Sequence, residues 1–480
     1  MTKPFPATPG FTGYNAPSRV EADIFDLEIE GELPASINGT WYRMTPDPQY
    51  PPLLGDDIYL SGDGMISMFR FENGYADYKS RYVRTERFLA ERAARRGLFG
   101  AYRNRFTDDP AAAGLDRTVA NTSPVYHAGR LFAIKEDGLP YEVHPDTLET
   151  IGRCDWNGAL KSQTVSAHSK VDPVTGELLL YGYEVSGDAS REMMFATVDP
   201  NGVLGEEHWF EAPYAAMVHD FAITVDYLVF PIFPTIVELD RLKAGGPHWM
   251  SDVSRDAWIG VVPRKGSAKD MRWFRRPGGQ SFHVINAWNE GDRIQLDLCV
   301  SETNSFPFIP DVSGEPYDPR RASALPSRWT IDLSRNDDQI EERVIGIVPG
   351  DVPRVDDRRV GRRYRQSYMG MVDPTRAFRE SGPVGAGFNM VGRLDADTGE
   401  TDAWYGRDDD TFQEPQFVPT GAGETDGYVL SVIERHDSQL SDVGVFRAGH
   451  IAEGPVATIR LPLRLRGAVH GCWVPKPARR

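Results

Sequence analysis

The chain has 480 residues, and its 53 Lys and Arg against 70 Asp and Glu give a formal net charge of −17. This acidic charge repels nucleic acid and anionic lipid, so neither polyanion is an expected partner. The three cysteines, Cys154, Cys299 and Cys472, are widely spaced and odd in number. They are interpreted as buried thiols, because neither a disulfide framework nor a Cys-x-x-Cys zinc site fits that pattern.

The N-terminal segment, Met1 to Pro6, lacks the apolar core of a secretory signal. The most apolar run, residues 227–234, is interrupted by prolines and is too short to cross a bilayer. We therefore expect a cytoplasmic protein with no integral membrane segment. No long Gly/Ser-rich or Pro-rich spacer divides the sequence, which favours a single domain over residues 1–480, and no pattern specifies an oligomeric state.

The first amphipathic segment, residues 84–105, carries several arginines around Phe88, Leu89 and Leu98. A membrane-surface helix is one interpretation of this pattern. The acidic charge of the rest of the chain favours the other interpretation, a solvated helix that caps the fold.

Short runs of β-branched and aromatic residues follow, and the clearest of these predicted strands are residues 178–183, 227–232, 293–298 and 427–433. Turn motifs containing Asp, Pro or Gly recur between such runs, at residues 146–149, 172–177 and 397–400. Repeated hairpins of this kind predict a repetitive all-β fold and suggest the blades of a propeller. The chain carries no WD40-like or kelch-like signature, so the pattern does not fix the number of blades.

Four histidines lie in separate strand-like segments: His168, His219, His283 and His470. Imidazole suits iron, copper, nickel or zinc, and a metal centre built from neutral imidazoles can bind and activate dioxygen. The plainer alternative is that these are unrelated core or surface residues, because dispersed ligands have no local signature. The other six histidines sit near Gly, Pro or charged residues, mostly in predicted turns, and are interpreted as non-ligands: His127, His144, His208, His248, His436 and His450.

Several segments resemble the motifs of the carotenoid cleavage oxygenase family, in the same order over nearly the whole chain. They are residues 62–65 (GDGM), 120–123 (ANTS), 135–142 (KEDGLPYE), 217–221 (MVHDF), 414–419 (EPQFVP) and 470–471 (HG). Two further segments, residues 98–104 and 134–137, are most similar to the bacterial branch that cleaves phenolic alkenes. That branch includes lignostilbene dioxygenases and enzymes that cleave isoeugenol or vinylguaiacol.

The resemblance implies a seven-bladed β-propeller with a loop or helix cap over a central iron site. It also implies one Fe(II) per chain, held by the four separated histidines, with dioxygen as co-substrate. Convergence of distant ligands is compatible with a propeller, because its blades surround a common channel. By the same resemblance, Glu136, Asp351 and Glu414 orient the histidines, as carboxylates commonly do. Asp351 stands where the family usually has a glutamate, and composition alone would make any of these acids a solvated one.

Lys135 and Tyr102 are the predicted catalytic and substrate-binding pair. An ammonium and a phenol together can hold the hydroxyl of a phenolic substrate and stabilise its phenolate by charge-assisted hydrogen bonds. The alternative is an outward-facing lysine beside a packing tyrosine. Strand alternation would place Lys135 and Glu136 on opposite faces, unless the strand end is irregular.

Three further pocket residues are predicted: Leu60, Thr122 and Phe306. Leu60 stands where lignostilbene-type enzymes tend to have an aromatic ring and isoeugenol-type enzymes an aliphatic side chain. Thr122 resembles the family threonine that crowds one open metal position. Phe306, together with Phe308, is expected to line the pocket, although core packing is an equal alternative.

The resulting hypothesis is a non-haem Fe(II) oxygenase that cleaves the alkene bond of a small para-hydroxyphenyl alkene. Candidate substrates are a hydroxystilbene, isoeugenol and 4-vinylguaiacol, and the products would be aromatic aldehydes such as vanillin. One alternative is an apocarotenoid cleavage dioxygenase, which would have a long apolar tunnel in place of a pocket with a polar end. A second alternative is a non-catalytic propeller that binds a partner, with structural or zinc-bound histidines.

Overall fold

A computed structural model describes residues 3–379 and 387–476 of the chain. Within these ranges the protein is mainly β-structure, and seven antiparallel sheets form the blades of a β-propeller. The prediction of an all-β, seven-bladed propeller is therefore confirmed. The described residues contain two short α-helices, α1 (Glu86–Ala94) and α2 (Leu239–Lys243).

The N-terminal part of the chain contributes strands to two blades. These strands are β1 (Ala22–Ile24), β2 (Glu28–Gly31), β3 (Gly39–Pro46), β4 (Gly64–Glu72) and β5 (Tyr75–Tyr82). Strands β3, β4 and β5 form the body of blade 1, and β1 pairs with β5 at the edge of the same sheet. Strand β2 leaves this sheet and joins blade 7.

Five four-stranded blades follow in chain order. Blade 2 contains β6 (Ser123–His127), β7 (Arg130–Ile134), β8 (Tyr141–Val143) and β9 (Thr150–Arg153). Blade 3 contains β10 (Lys170–Val171), β11 (Leu178–Tyr183), β12 (Glu192–Val198) and β13 (His208–Glu211). Blade 4 contains β14 (Ala222–Ile223) and β15 (Tyr227–Ile232), an inserted hairpin of β16 (Thr235–Ile236) and β17 (Met250–Ser251), and then β18 (Ala257–Pro263) and β19 (Arg272–Arg276). Blade 5 contains β20 (Val284–Glu290), β21 (Arg293–Val300), β22 (Leu325–Asp332) and β23 (Glu341–Val344). Blade 6 contains β24 (Gly350–Val355), β25 (Gln366–Met371), β26 (Met390–Asp395) and β27 (Thr401–Tyr405).

Blade 7 joins the two ends of the described chain. It contains β28 (Asp410–Phe412), β29 (Gln416–Pro419), β30 (Gly427–Arg435), β31 (Leu440–Arg447) and β32 (Pro455–Arg460), and it is followed by β33 (Gly471–Pro475). Strand β33 crosses to blade 1 and pairs with β3, while β2 pairs with β32 in blade 7. Two strand pairings, β3 with β33 and β2 with β32, therefore link blades 7 and 1 and close the ring.

An apolar cluster fills each of the seven spaces between adjacent blades of the described structure. Strand β11 shows how the sequence produces this arrangement. Leu178 and Leu180 face the cluster shared with blade 2, whereas Leu179 and Tyr181 face the cluster shared with blade 4. Successive side chains of a strand point to opposite faces, so a middle strand that is apolar throughout can join two neighbouring blades.

The predicted basic segment, residues 84–105, is helical only over α1, which covers fewer residues than expected. Thr85 accepts a hydrogen bond from the Phe88 backbone N–H at the start of α1, and Arg95 ends it in the left-handed conformation with a φ of 55°. Phe88 packs against Tyr82 of blade 1, so α1 covers the propeller edge. In the part of the chain that the structure describes, no helix has the length and apolar character needed to span a bilayer.

Trp473 provides a test of the blade 1 closure, because it lies on β33 opposite Trp41 of β3. Trp473→Ala should lower the free energy of unfolding by about 3–5 kcal/mol, the usual result of removing a buried tryptophan side chain. Trp473→Phe, as the matched control, should lose less. The measurement is the guanidinium midpoint, and equal midpoints for the Ala variant and the unmodified protein would contradict the role of β33 as a closing strand.

Candidate metal centre and substrate cavity

Each of the four predicted histidines lies just before an edge strand of a different blade. His168 precedes β10, His219 precedes β14, His283 precedes β20 and His470 precedes β33. Propeller blades surround a central channel, and the inner edge of each blade faces it. The four side chains therefore meet at the axis although they are far apart in the sequence.

The other three blades bring the remaining predicted axial residues to the same place. Thr122 precedes β6 of blade 2, Asp351 lies in β24 of blade 6, and Glu414 lies between β28 and β29 of blade 7. Every blade of the described propeller therefore supplies one predicted site residue from its inner strand or from the residue beside it.

The ring nitrogens of the four histidines converge, and one nitrogen from each lies within 4.8 Å of those of the other three. Nε2 of His168 is 3.1 Å from Nε2 of His219. Nε2 of His283 and of His470 are buried and have no hydrogen-bond partner among the described residues. Buried polar atoms without partners are rare in proteins. Four imidazole nitrogens in this arrangement fit a divalent first-row metal.

Carboxylates orient three of the four imidazoles. In each case the Nδ1–H donates to the carboxylate, which leaves the Nε2 lone pair at the axis. The pairs are His219 with Glu136 Oε2, His283 with Asp351 Oδ1 and His470 with Glu414 Oε1, each at 2.8 Å. Glu414 also accepts a hydrogen bond from the Gly471 backbone N–H at 2.7 Å.

Asp351 reaches His283 although its side chain is shorter than the glutamate usual in the resembling family. The pairing of β24 with β25 shifts register between Asp351 and Arg354, and Val352 has a φ of 50°. A β-bulge bends a strand and re-aims its side chains. The irregular backbone therefore brings this carboxylate to the histidine.

His168 differs from the other three histidines. The carboxylate nearest to its Nδ1 among the described ion pairs is that of Asp220, at 3.6 Å. Asp220 is already bound to Lys170 Nζ at 2.8 Å and to the Val284 backbone N–H at 2.9 Å. The orientation of His168 therefore depends on its packing against the other rings. Its ring centroid lies 4.3 Å from that of His470 and 5.4 Å from that of His283.

Burial and mutual proximity favour a neutral imidazole at His168 and His470, whereas the contact with Asp351 outweighs burial at His283 and raises its pKa. Burial and the neighbouring histidines hold the pKa of His168 well below its usual value. Burial also lowers the pKa of His470, although Glu414 opposes this shift. Burial alone would raise the pKa of Glu136, but the contact with His219 outweighs it and lowers the pKa to about 2. Neutral imidazoles with ionised outer carboxylates are the protonation states that metal binding requires.

A cavity of about 500 Å³ opens onto His219, His283 and His470. Pockets of roughly 300–1,000 Å³ enclose most of the surface of a small organic ligand. One end of this cavity is lined by the predicted pocket residues: Leu60, Thr122, Lys135, Phe306 and Phe308.

Lys135 is a buried cation on the cavity wall, with 1% of its surface exposed. Strand β7 ends at Ile134, so Lys135 and Glu136 lie in irregular backbone and both face the cavity. The objection from strand alternation therefore does not apply. Lys135 Nζ lies 3.3 Å from the Leu60 carbonyl and 3.4 Å from Asn121 Oδ1, and no described carboxylate forms an ion pair with it. Burial lowers the pKa of Lys135.

Tyr102 lies beside Lys135, as predicted, but presents its ring and not its hydroxyl. Lys135 Nζ is 5.0 Å from the centroid of the Tyr102 ring, a cation–π contact. The Tyr102 hydroxyl is buried without a hydrogen-bond partner among the described residues, and Tyr102 is not on the cavity wall. Its ring packs with Phe306 and Phe308 against the apolar cluster between blades 3 and 4.

Two histidines that were interpreted as turn residues take part in buried networks. His248 is 2% exposed, and its Nε2 lies 3.0 Å from Glu184, which also binds Arg103. His436 lies in a turn, as expected, but also lines the cavity together with Glu434. Their neighbours come from distant parts of the chain, so no local spacing signals either network.

The outer carboxylates can be tested through metal retention. Glu136→Gln or Glu414→Gln should lower metal affinity roughly 10- to 100-fold, since an oriented imidazole loses its acceptor. Asp351→Glu should retain more metal than Asp351→Ala. Glu453→Gln, at an exposed position, is the matched control. Metal content after dialysis against a graded chelator is the measurement, and equal retention by all of these variants would contradict an orienting role.

Comparison with known proteins agrees with this geometry. The family model for RPE65, described as retinal pigment epithelial membrane protein, matches residues 15–475. The isoeugenol monooxygenase of Pseudomonas nitroreducens is 46% identical over 473 residues, which cover 98% of each chain. The lignostilbene-alpha,beta-dioxygenase isozyme III of Sphingomonas paucimobilis is 42% identical over 477 residues, covering 98% of this chain and 97% of that one.

Among solved structures, the lignostilbene dioxygenase of Pseudomonas brassicacearum superimposes with a TM-score of 0.96 and 45% sequence identity, over 99% of this chain and 100% of that one. The Synechocystis apocarotenoid oxygenase is more distant, at 26% identity with a TM-score of 0.81 for its cobalt-substituted form, over 96% of this chain and 97% of that one. The chain belongs to the RPE65/carotenoid oxygenase family, as its motifs predicted.

Proposed function

We propose that the protein is a non-haem Fe(II) oxygenase that uses dioxygen to cleave the alkene bond of para-hydroxyphenyl alkenes, giving aromatic aldehydes. The observation that carries this proposal is the buried cation Lys135, which lies on the same cavity as the converging histidines. The relatives support the substrate class, because isoeugenol, lignostilbene and resveratrol, which appear in their names, are all hydroxyphenyl alkenes.

His168, His219, His283 and His470 would hold one Fe(II) per chain. Neutral imidazoles suit this ion, and the convergence of the four ring nitrogens supports the ligand set that the resemblance implied. The bound metal supplies the activation of dioxygen. Thr122 lies on the same cavity wall, and its branched side chain would restrict access to the metal from one direction.

Lys135 would bind and help to ionise the substrate hydroxyl. Burial lowers the pKa of Lys135, so its ammonium gives up a proton more readily, and the amine that results can accept the proton of the phenol at Nζ. The resulting ammonium and phenolate are then held by a charge-assisted hydrogen bond, and each removes the unpaired buried charge of the other. The negative charge on the phenolate oxygen delocalises through the ring to the alkene, which makes the alkene carbon more nucleophilic.

Tyr102 would support Lys135 from outside the cavity wall. Its ring face contacts Lys135 Nζ and would stabilise the ammonium by a cation–π interaction. Leu60, Phe306 and Phe308 offer apolar surface to the aryl ring of the substrate. These side chains place the alkene toward the histidines and exclude water from it.

The two alternative functions are less consistent with the cavity. A polyene hydrocarbon offers neither a hydrogen-bond acceptor nor an anion to Lys135, whose contacts in the structure are all with neutral groups, and this disfavours apocarotenoid cleavage. A non-catalytic propeller has no use for two buried, unpaired imidazole nitrogens at the base of a cavity. Zinc bound to the same histidines would satisfy these nitrogens, so metal identity is the direct test of that alternative.

The iron content of the purified protein distinguishes the proposed oxygenase from a zinc-bound or metal-free propeller. The purified protein should bind one Fe(II) per chain, and His219→Ala or His470→Ala should lose metal and alkene cleavage together, because each variant removes one of the converging imidazoles. His450→Ala, at an exposed position, is the matched control. Elemental analysis and aldehyde formation are the measurements, and full activity in a metal-free preparation would refute the proposal.

Substrate class can be tested at the para-hydroxyl group. Replacing this hydroxyl by methoxyl should nearly abolish turnover, because the ether cannot form a phenolate and leaves Lys135 without a charged partner. Lys135→Met should cause a similar loss with the phenolic substrate and leave the iron content unchanged, whereas Lys265→Met, at an exposed position, should have no effect. Similar cleavage rates for hydroxylated and O-methylated alkenes would exclude phenolate activation and favour the apocarotenoid alternative.

A further inference from the structure

The cavity has a second polar end that the proposed mechanism does not use. Tyr14 of the N-terminal segment and Thr411, Gln413, Glu434 and His436 of blade 7 line this region. We call it the distal subsite. It belongs to the same continuous cavity as Lys135 and the histidines.

The distal subsite and the phenol-binding end of the cavity are built from different blades of the propeller. The phenol-binding end packs against the cluster between blades 3 and 4, through Tyr102 and Phe306. Thr411 and Glu434 come from blade 7. His219, His283 and His470 line the same cavity as both regions. A ligand long enough to fill both regions therefore lies in the cavity onto which the histidines open.

Hydrogen bonds hold the Glu434 carboxylate in a fixed position. Thr411 Oγ1 donates to Oε2 at 2.6 Å, and Gln413 Nε2 donates to Oε1 at 2.7 Å. Gln413 is itself held by the Ala468 backbone N–H at 3.1 Å and by the buried guanidinium of Arg43. Nε2 of His436 lies 2.8 Å from Thr411 Oγ1. This network is already ordered before any ligand enters, which lowers the entropic cost of binding.

Glu434 has unused capacity to accept hydrogen bonds. An ionised carboxylate offers about four acceptor sites, and the side chains of Thr411 and Gln413 occupy two of them. Among the described residues, its ion-pair contact is with His436 at 3.3 Å, and no lysine or arginine pairs with it. A carboxylate in this situation binds a hydrogen-bond donor such as a hydroxyl, and an ether cannot replace that donor.

Aromatic side chains surround this acceptor. The ring centroids of Tyr14 and His436 are 4.6 Å apart, and Phe412 also lines the cavity. Aromatic walls beside a hydrogen-bonded carboxylate suit a planar aryl ring that carries a hydroxyl.

We propose that the distal subsite binds the hydroxyl of a second aryl ring, with Glu434 as the acceptor. This inference rests on the proposed function and makes it more specific, because the preferred substrate then has two hydroxylated rings joined by the alkene. Lys135 binds the hydroxyl of the ring that is activated, and Glu434 binds the hydroxyl of the other ring. One-ring alkenes occupy only the half of the cavity that contains Lys135.

Three matched stilbenes test the distal subsite. The first carries a para-hydroxyl on both rings, the second lacks the hydroxyl on one ring, and the third carries methoxyl in that place. All three keep one phenol for Lys135. For the unmodified enzyme, kcat/KM should be about 10- to 100-fold higher with the first than with the other two, the value of a hydrogen bond to a charged acceptor.

Variants of the distal subsite should reduce this preference. Glu434→Gln removes the charge and keeps the shape, so it should lower kcat/KM with the dihydroxylated stilbene about tenfold more than with the monohydroxylated one. Thr411→Val should have the same selective effect, whereas Thr411→Ser keeps the hydroxyl and should retain the preference. The Thr411 pair decides the matter if Glu434→Gln fails to fold in a thermal melt.

Equal kcat/KM for the three stilbenes, or a preference that survives in both Glu434→Gln and Thr411→Val, would overturn the distal subsite while the proposed function stands. Absence of cleavage with all three stilbenes would instead contradict the proposed function. In that event, equilibrium binding under argon, followed by stilbene fluorescence, still tests the subsite. Tighter binding of the dihydroxylated stilbene that is lost in Glu434→Gln supports it, and equal binding overturns it.

Discussion

Closure of the seven-bladed ring is the constraint on which the rest of this structure depends. The four imidazoles and their supporting side chains come from the inner edges of separate blades, so no single blade contains a functional site. Apolar clusters between the blades fix the distance of each inner strand from the axis. Protein interiors are packed at nearly crystalline density, so these distances are held closely enough to align four ring nitrogens.

The buried ionisable side chains at the cavity differ in whether another ionisable side chain pairs with them, and this difference determines what each can do. Glu136, Asp351 and Glu414 each accept a hydrogen bond from an imidazole, so His219, His283 and His470 are each held in one tautomer. Lys135 and Glu434 are different, because both are held by neutral groups and face the cavity. Incomplete pairing of a buried charge is costly to the folded protein. These two sites therefore mark where a ligand has to complete the hydrogen bonding.

The order of family motifs along the chain predicted the architecture, and those motifs contain His219, His470, Glu136 and Glu414 among the axial residues. Three features of the site could not be predicted from the sequence. The bulge that aims Asp351 depends on backbone conformation at Val352, and the cation–π geometry of Tyr102 depends on packing between blades. The distal subsite brings Tyr14 to Thr411 and Glu434, which lie about 400 residues further along the chain. Contacts of such separation leave no periodic or local signal.

The pairing of β3 with β33 also has a consequence for biosynthesis. Trp41 and Trp473 are partners across this closure, so the strand that completes blade 1 leaves the ribosome after all the other blades. His470 belongs to the same late segment and immediately precedes β33. A nascent chain therefore exposes only three of the converging imidazoles until this segment has been made. The four-histidine site and the ring are completed together, and the incomplete ring must be kept from aggregating until then.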